Sequence, residues 1–181
     1  MNKTLKFSLC LVLLIAIAGS GYIYVQKLQK KSQLSTSGQA SSTAQPGGEV
    51  VFPESQLNAL TPQINQVAVN IMHYIDTGDA GKIGSVWDAS SELAQHSVNR
   101  EDFISSLQNT HHQMGKLMSR DYINTIYKSF TKPGKVPPGQ YITVNYLAKF
   151  ANEKTPRSES VVFVYNQAQW KLVGYTILNN K

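Results

Sequence analysis

Arg120 and Glu159 are the residues of this 181-residue chain whose types and placement most suggest chemistry. Each falls near the start of a β-rich stretch. If the two stretches are neighbouring strands, guanidinium and carboxylate can meet through two parallel hydrogen bonds. Such a pair either ties strands together or sits in the mouth of a cavity as the anchor for a polar ligand; the structural role is the expectation. The four histidines offer less. His111 and His112 are adjacent, and consecutive helical side chains point about 100° apart, so they do not chelate one ion together. No carboxylate lies one turn from either, and no metal site is expected. His111, near a helix C-terminus, reads as a polar surface residue favoured by the helix dipole. Asp76 and Asp79 flank Gly78, but the alternating oxygen ligands of a calcium loop are missing, so they read as cap and turn residues. An acid–base site would have to draw on Asp88 beside Trp87, on His111 and on Tyr141. Tyr141, Trp170 and Tyr175 combine an apolar body with one polar end and suit pocket walls or interfaces. There is no phosphate loop, no nucleophile elbow and no dinucleotide fingerprint. The expectation is a protein without cofactor that is not an enzyme.

The elements that must position these residues are legible from hydrophobic period. Leu57, Leu60, Ile64, Val67, Ile71 and Ile75 recur every three or four residues, one face of a helix over 53–75. Gly78 suits the left-handed cap that ends it. A short second helix turns Ile83, Val86 and Trp87 inward. Asn99 is an N-cap with Asp102 as its partner three residues on, opening a third helix with Phe103, Leu107 and Met114 inside. Strands follow. Tyr122–Phe130 is β-rich, and four breakers between Thr131 and Gly139 forbid regular structure there. Ile142, Val144, Tyr146, Ala148 and Phe150 alternate onto one face. Ser158–Tyr165 and Trp170–Leu178 flank a hairpin connection at Asn166-Gln-Ala-Gln169. The fold class is α+β: three helices packed on a curved antiparallel sheet of about four strands, closed by the apolar last strand. On that strand Trp170 and Leu172 are expected on one face, and Val173, Tyr175 and Ile177 on the other. With both faces apolar, one is expected to meet a partner or a second copy.

Ser119-Arg120, Pro138-Gly139-Gln-Tyr141, Phe150, Glu159 and the closing Trp170-x-x-x-Gly174-Tyr175 resemble the pattern of bacterial exported proteins in domain-of-unknown-function family 4019. The resemblance spans roughly Ala68 to Ile177. It implies the architecture of the nuclear-transport-factor-2-like superfamily, helices cradled by a curved sheet in a cone, and carries no known activity. Two positions depart from the family: His111 stands where the resemblance implies an arginine, and an Asp/Asn-Gly turn is missing before Trp170.

The net charge of +6 is unevenly placed. From Val50 onward there are 12 basic and 10 acidic residues, so the excess belongs to the N-terminal part. No basic run interleaved with aromatics occurs in the domain, and nucleic acid is not an expected partner. Lys3 and Lys6 precede a 19-residue uncharged stretch, 7–25, and Lys27, Lys30 and Lys31 follow it. Residues 1–25 read as a signal anchor spanning a bacterial inner membrane, or as a signal peptide cleaved near Ala16-Ile17-Ala18. Residues 26–49 read as a flexible linker and 50–181 as the folded domain, placed in the periplasm. Cys10, in the apolar stretch, is the sole cysteine, so the domain holds together by packing alone. The function expected is an envelope-tethered, non-enzymatic protein-interaction domain. Its partner is another envelope or secreted protein, or itself as a homodimer through the sheet face. The alternative is a ligand-binding or enzymatic cone with a pocket between sheet and helices.

Overall fold

The computed structural model of the protein describes residues 54–179; the expected anchor and linker lie outside them. Among the described residues no helix is long and apolar enough to cross a membrane. Four helices come first: α1 (Glu54–Asp76), α2 (Ala80–Asp88), α3 (Glu92–Ser97) and α4 (Arg100–Met114). Four strands follow, β1 (Leu117–Phe130), β2 (Gly139–Phe150), β3 (Arg157–Asn166) and β4 (Gln169–Asn179). They form one antiparallel sheet in the order β1-β2-β3-β4.

The caps explain where the helices stop. Gly78, at φ +66°, turns the chain after α1 and donates its N–H to Ile75. Asp79 caps α2 and Asn99 caps α4, where Asn99 Oδ1 accepts from the Asp102 amide at 2.9 Å. The sequence pattern predicts three helices in the domain; among the described residues there are four. The six residues of α3 are too few to display a period, and its signal is only the cap, Ser91, accepting from the Ala94 amide. Ser91 also donates its own N–H to the Leu172 carbonyl at 2.8 Å, so this segment runs against the edge of β4 and covers it.

The main core lies between the helices and one face of the sheet. Ala68, Met72 and Ile75 of α1, Ile83 of α2 and Phe103 and Leu107 of α4 meet Ile142, Val144 and Tyr146 of β2, Val161 and Phe163 of β3, and Leu172 and Tyr175 of β4. The buried stripe of α1 is rotated from the expected one. Ala68 and Met72 are inside, whereas Val67 remains 43% exposed. Small Ala68 lets the helix approach the sheet, which a count of large apolar residues does not reveal.

The face assignment on β4 also needs correcting. Val162 pairs with Gly174 but its neighbour Phe163 pairs with Leu172, so Val173 is a bulge residue. The bulge shifts the alternation, and Leu172 and Tyr175 share the helix-covered face. Val173 joins Val136, Tyr141 and Val164 in a second cluster on the outer face, with Leu93 and Phe130 packed against it. Apolar residues thus do occur on both faces. This part of the outer face is covered from within, by the irregular β1–β2 loop through Val136 and by α3 through Leu93. In the middle of the sheet the outer face carries a polar row: Asn145 Nδ2 donates to Asn124 Oδ1 and Ser160 Oγ to Asn145 Oδ1, each at 2.7 Å, across three strands.

Candidate functional site

Where α1 and α4 end over the sheet, five ionisable side chains from five elements close into a ring. Asp76 is the last residue of α1, His111 lies in the last turn of α4, and Arg120, Glu159 and Tyr175 come from β1, β3 and β4. Arg120 is the hub. Its Nε and Nη2 donate to the two Glu159 carboxylate oxygens at 2.5 and 3.0 Å. Its Nη1 and Nη2 donate to the two Asp76 oxygens at 2.7 and 3.0 Å. Four of the five guanidinium N–H groups are thereby used on two carboxylates, each gripped bidentately.

The strands that carry the pair are not neighbours. β1 and β3 are separated by β2, and Arg120 lies in register with Ala148 while Glu159 lies in register with Tyr146. Pairing is possible because Ala148, fully buried, leaves room for the arginine to cross β2. The pair forms as the sequence suggests, by a route that strand adjacency does not supply.

Glu159 is 0% exposed. Its Oε1 also accepts from the Tyr175 hydroxyl at 2.6 Å. That hydroxyl lies 3.3 Å from His111 Nε2, and His111 Nδ1 lies 3.5 Å from Asp76 Oδ1, which completes the ring. The single Tyr175 proton goes to the closer partner, Glu159; a neutral His111 has one N–H, which its tautomer gives either to the tyrosine oxygen or to Asp76. The imidazole is sandwiched at its edges, stacked toward Tyr175 and edge-on to Phe150.

Two carboxylates face one guanidinium, so the ring carries a net negative charge while His111 is neutral. Burial pushes the His111 pKa below its ordinary value, and the carboxylates of Asp76 and Glu159 oppose this without overcoming it. Burial, reinforced by Glu159, holds the Tyr175 phenol far above its usual range. Burial works against the Arg120 charge, but the hydrogen bonds from Glu159 and Asp76 outweigh it and the guanidinium stays ionised. Beside the ring, Tyr146 donates to the side-chain oxygen of Asn65 on α1, and burial pushes its pKa up to about 12.

The ring brings together four of the residues that the sequence singles out: Arg120, Glu159, His111 and Tyr175. Two expectations are overturned. His111 is not a surface residue; Phe150, Tyr175 and Asp76 enclose it. Asp76 is more than a turn residue. A carboxylate at a helix C-terminus opposes the helix dipole, and that misplacement was the available sign that it needs a cation. The other three candidates lie elsewhere. Tyr141 is in the outer-face cluster, its ring edge-on to Phe130 and its hydroxyl donating to the Pro137 carbonyl at 3.0 Å. Asp88 is on the surface, where Arg100 grips it at 2.9 and 3.2 Å and lowers its pKa. Trp170 rests beside Tyr165 and lines a groove between α1 and the sheet. Among the described residues no group of three or more His, Cys, Asp or Glu side chains is arranged to hold a metal ion.

A family model described as a protein of unknown function (DUF4019) matches residues 70–175. The chain belongs to the DUF4019 family. All five ring residues of this DUF4019 chain fall inside the matched span. No curated protein and no solved structure matches the chain.

Proposed function

We propose that the chain is a non-enzymatic interaction domain of the bacterial envelope. It is held at the inner membrane by residues 7–25 or released by cleavage, and extends on the linker 26–49 into the periplasm. The fold we propose is the nuclear-transport-factor-2-like cone, a reading supported by helices lying on one face of an antiparallel meander. One observation carries the functional reading: the side chains best suited to acid–base work are turned on one another. Glu159 is fully buried and Arg120 has one N–H left, so the ring braces the fold and offers a substrate little to hold.

The partner we propose is another envelope or secreted protein, or a second copy, docking on the outer face at the end of the sheet remote from Val136. Leu147 and Leu178 both lie in register with Ser158 there, Leu178 is exposed, and Met118 of β1 is 62% exposed. The test is a photo-crosslinking amino acid placed at Leu178 in the full-length chain in cells, with Lys82 as the control position. A discrete adduct from Leu178 alone supports the reading, and its mass separates a self-adduct from a foreign partner. Equal labelling from both positions, or none, overturns it. A second reading, small-ligand binding, is favoured by the groove beside Trp170.

A further inference from the structure

The groove beside Trp170 lies between α1, the end of α2 and the start of β4, with a volume of about 510 Å³, within the range of roughly 300–1,000 Å³ usual for ligand clefts. Three aromatic side chains from three elements line it: Tyr74 of α1, Phe163 of β3 and Trp170 of β4. Phe163 and Leu172, paired across β3 and β4, belong to the main core and form the floor with Val86. Val67 and Tyr74 on the α1 wall are each 43% exposed, so the groove shows apolar surface to water.

The groove is also uncharged. Lys171 borders it but pairs with Val164 of the outer-face cluster, and side chains alternate along a strand. Its ammonium therefore lies on the other face of the sheet from Phe163, Trp170 and Leu172. No Lys, Arg, Asp or Glu occurs in residues 55–72, so the α1 wall brings no such charge. The polar groups of the lining are an amide, an imidazole and a hydroxyl: Asn70, His73 and Ser85. Gln66 Nε2 donates to Asn70 Oδ1 at 3.1 Å, which leaves Asn70 Nδ2 as a donor. The Ser85 hydroxyl donates to the Lys82 carbonyl at 2.7 Å, which leaves its oxygen as an acceptor.

We propose that this groove binds a neutral aromatic compound of two or more rings, carrying a hydroxyl at one end. The rings lie over Phe163 between α1 and Trp170, and the hydroxyl meets Asn70 or Ser85 at the rim. The proposal rests on the ligand-binding reading and adds the chemistry of the ligand. Rings gain offset or edge-to-face contacts with Tyr74, Phe163 and Trp170 beyond the burial of area, which a flexible chain does not. A charge brought into the groove would shed water with no counter-charge to meet it. The ion ring takes no part.

The test uses the full-length chain in nanodiscs of zwitterionic lipid and three photoreactive benzophenones that differ in one para group: hydroxymethyl, carboxylate or aminomethyl. Each is brought by dialysis to the same free concentration in water and illuminated, and its adducts are mapped by mass spectrometry. Adducts of the alcohol are expected in the segments 67–74 and 163–172, about tenfold or more above those of the carboxylate and the ammonium. Excess fluorenylmethanol should suppress them far more effectively than dodecanol, which has the same head and no ring. Tyr74→Ala should lower labelling several-fold while leaving the melting temperature in place, and Ala89→Trp, which fills the groove, should abolish it. If the carboxylate or the ammonium labels the groove as strongly as the alcohol, or dodecanol competes as well as fluorenylmethanol, this ligand class is wrong while the ligand-binding reading stands. Should adducts fall only on residues 7–25, spread evenly over the chain, or persist in Ala89→Trp, the groove holds no ring compound and both readings fail.

Discussion

Removing the hub of the ion ring should unfold the domain at a much lower temperature. In Arg120→Met the apolar stem is kept and four charge-assisted hydrogen bonds are lost. Glu159, with no exposed surface, is left with the Tyr175 hydroxyl as its partner in the ring. Asp76 is half-buried at a helix C-terminus whose dipole repels it. Breaking a buried ion pair from one side costs about 3–5 kcal/mol, because the remaining charge stays buried. For a domain of this size that is a fall in Tm of roughly 10–20 °C. Glu159→Gln should cost less, since Arg120 keeps Asp76 and the amide can still accept from Tyr175. In the double variant the glutamine no longer needs the arginine, so the two losses should overlap, giving a coupling on the order of 2 kcal/mol. The assay is thermal unfolding of the full-length chain in mild detergent, followed by the fluorescence of Trp87, which is half-buried and donates its Nε1–H to the Val98 carbonyl. A drop of less than about 3 °C for Arg120→Met, or strictly additive losses in the double variant, would refute the view that the ring braces the fold.

His111 should make stability depend on pH below about 6.5, the ordinary histidine value. Its folded pKa is depressed by burial, so in this window the unfolded chain holds the extra proton and stability falls as pH falls; His111→Gln should flatten the difference between Tm measured at pH 7.5 and at pH 5. The β3–β4 hairpin turn places Gln167 at φ +49° and Ala168 at φ +62°, where a two-residue turn favours Asn-Gly. The double change Gln167→Asn, Ala168→Gly should raise stability by about 1 kcal/mol, read as a Tm increase. Gly115 closes α4 at φ +76°, ψ −165°, a region open essentially to glycine alone, and a Cβ there would come within 2.8 Å of the Asn152 side chain. Gly115→Ala should therefore cost about 2 kcal/mol or more, seen in the same melt.

Much of this fold is readable in the sequence because burial imposes a period. Phe103, Leu107 and Met114 on α4, and Ile142, Val144 and Tyr146 on β2, are buried where their spacing says they are. What escaped has a common cause: it depends on register between distant segments. The bulge at Val173 inverts the faces of β4, and its local marker, Gly174 inside the strand, is silent to a count of apolar alternation. Val136 sits among breakers, and only the folded loop shows that it covers Tyr141 and Val173. The Arg120–Glu159 pair was visible as two charges in apolar strands, but its third member, Asp76, was hidden by a plausible turn role. His111 reads as a surface residue because its sequence neighbours, His112 and Gln113, are polar and exposed, while the groups that enclose it come from α1, β2 and β4.

The ring also bears on time. Its links join residues 39 and 44 positions apart along the chain through Arg120, and 64 apart between His111 and Tyr175. Contacts of that span carry a large loop-closure cost, and they are expected to form late, after the meander has assembled and the helices have docked. Interactions absent from the folding transition state leave the rate of folding nearly untouched and slow its reversal instead. The five side chains thus act as a brake on unfolding, lengthening the lifetime of the native state more than they hasten its arrival.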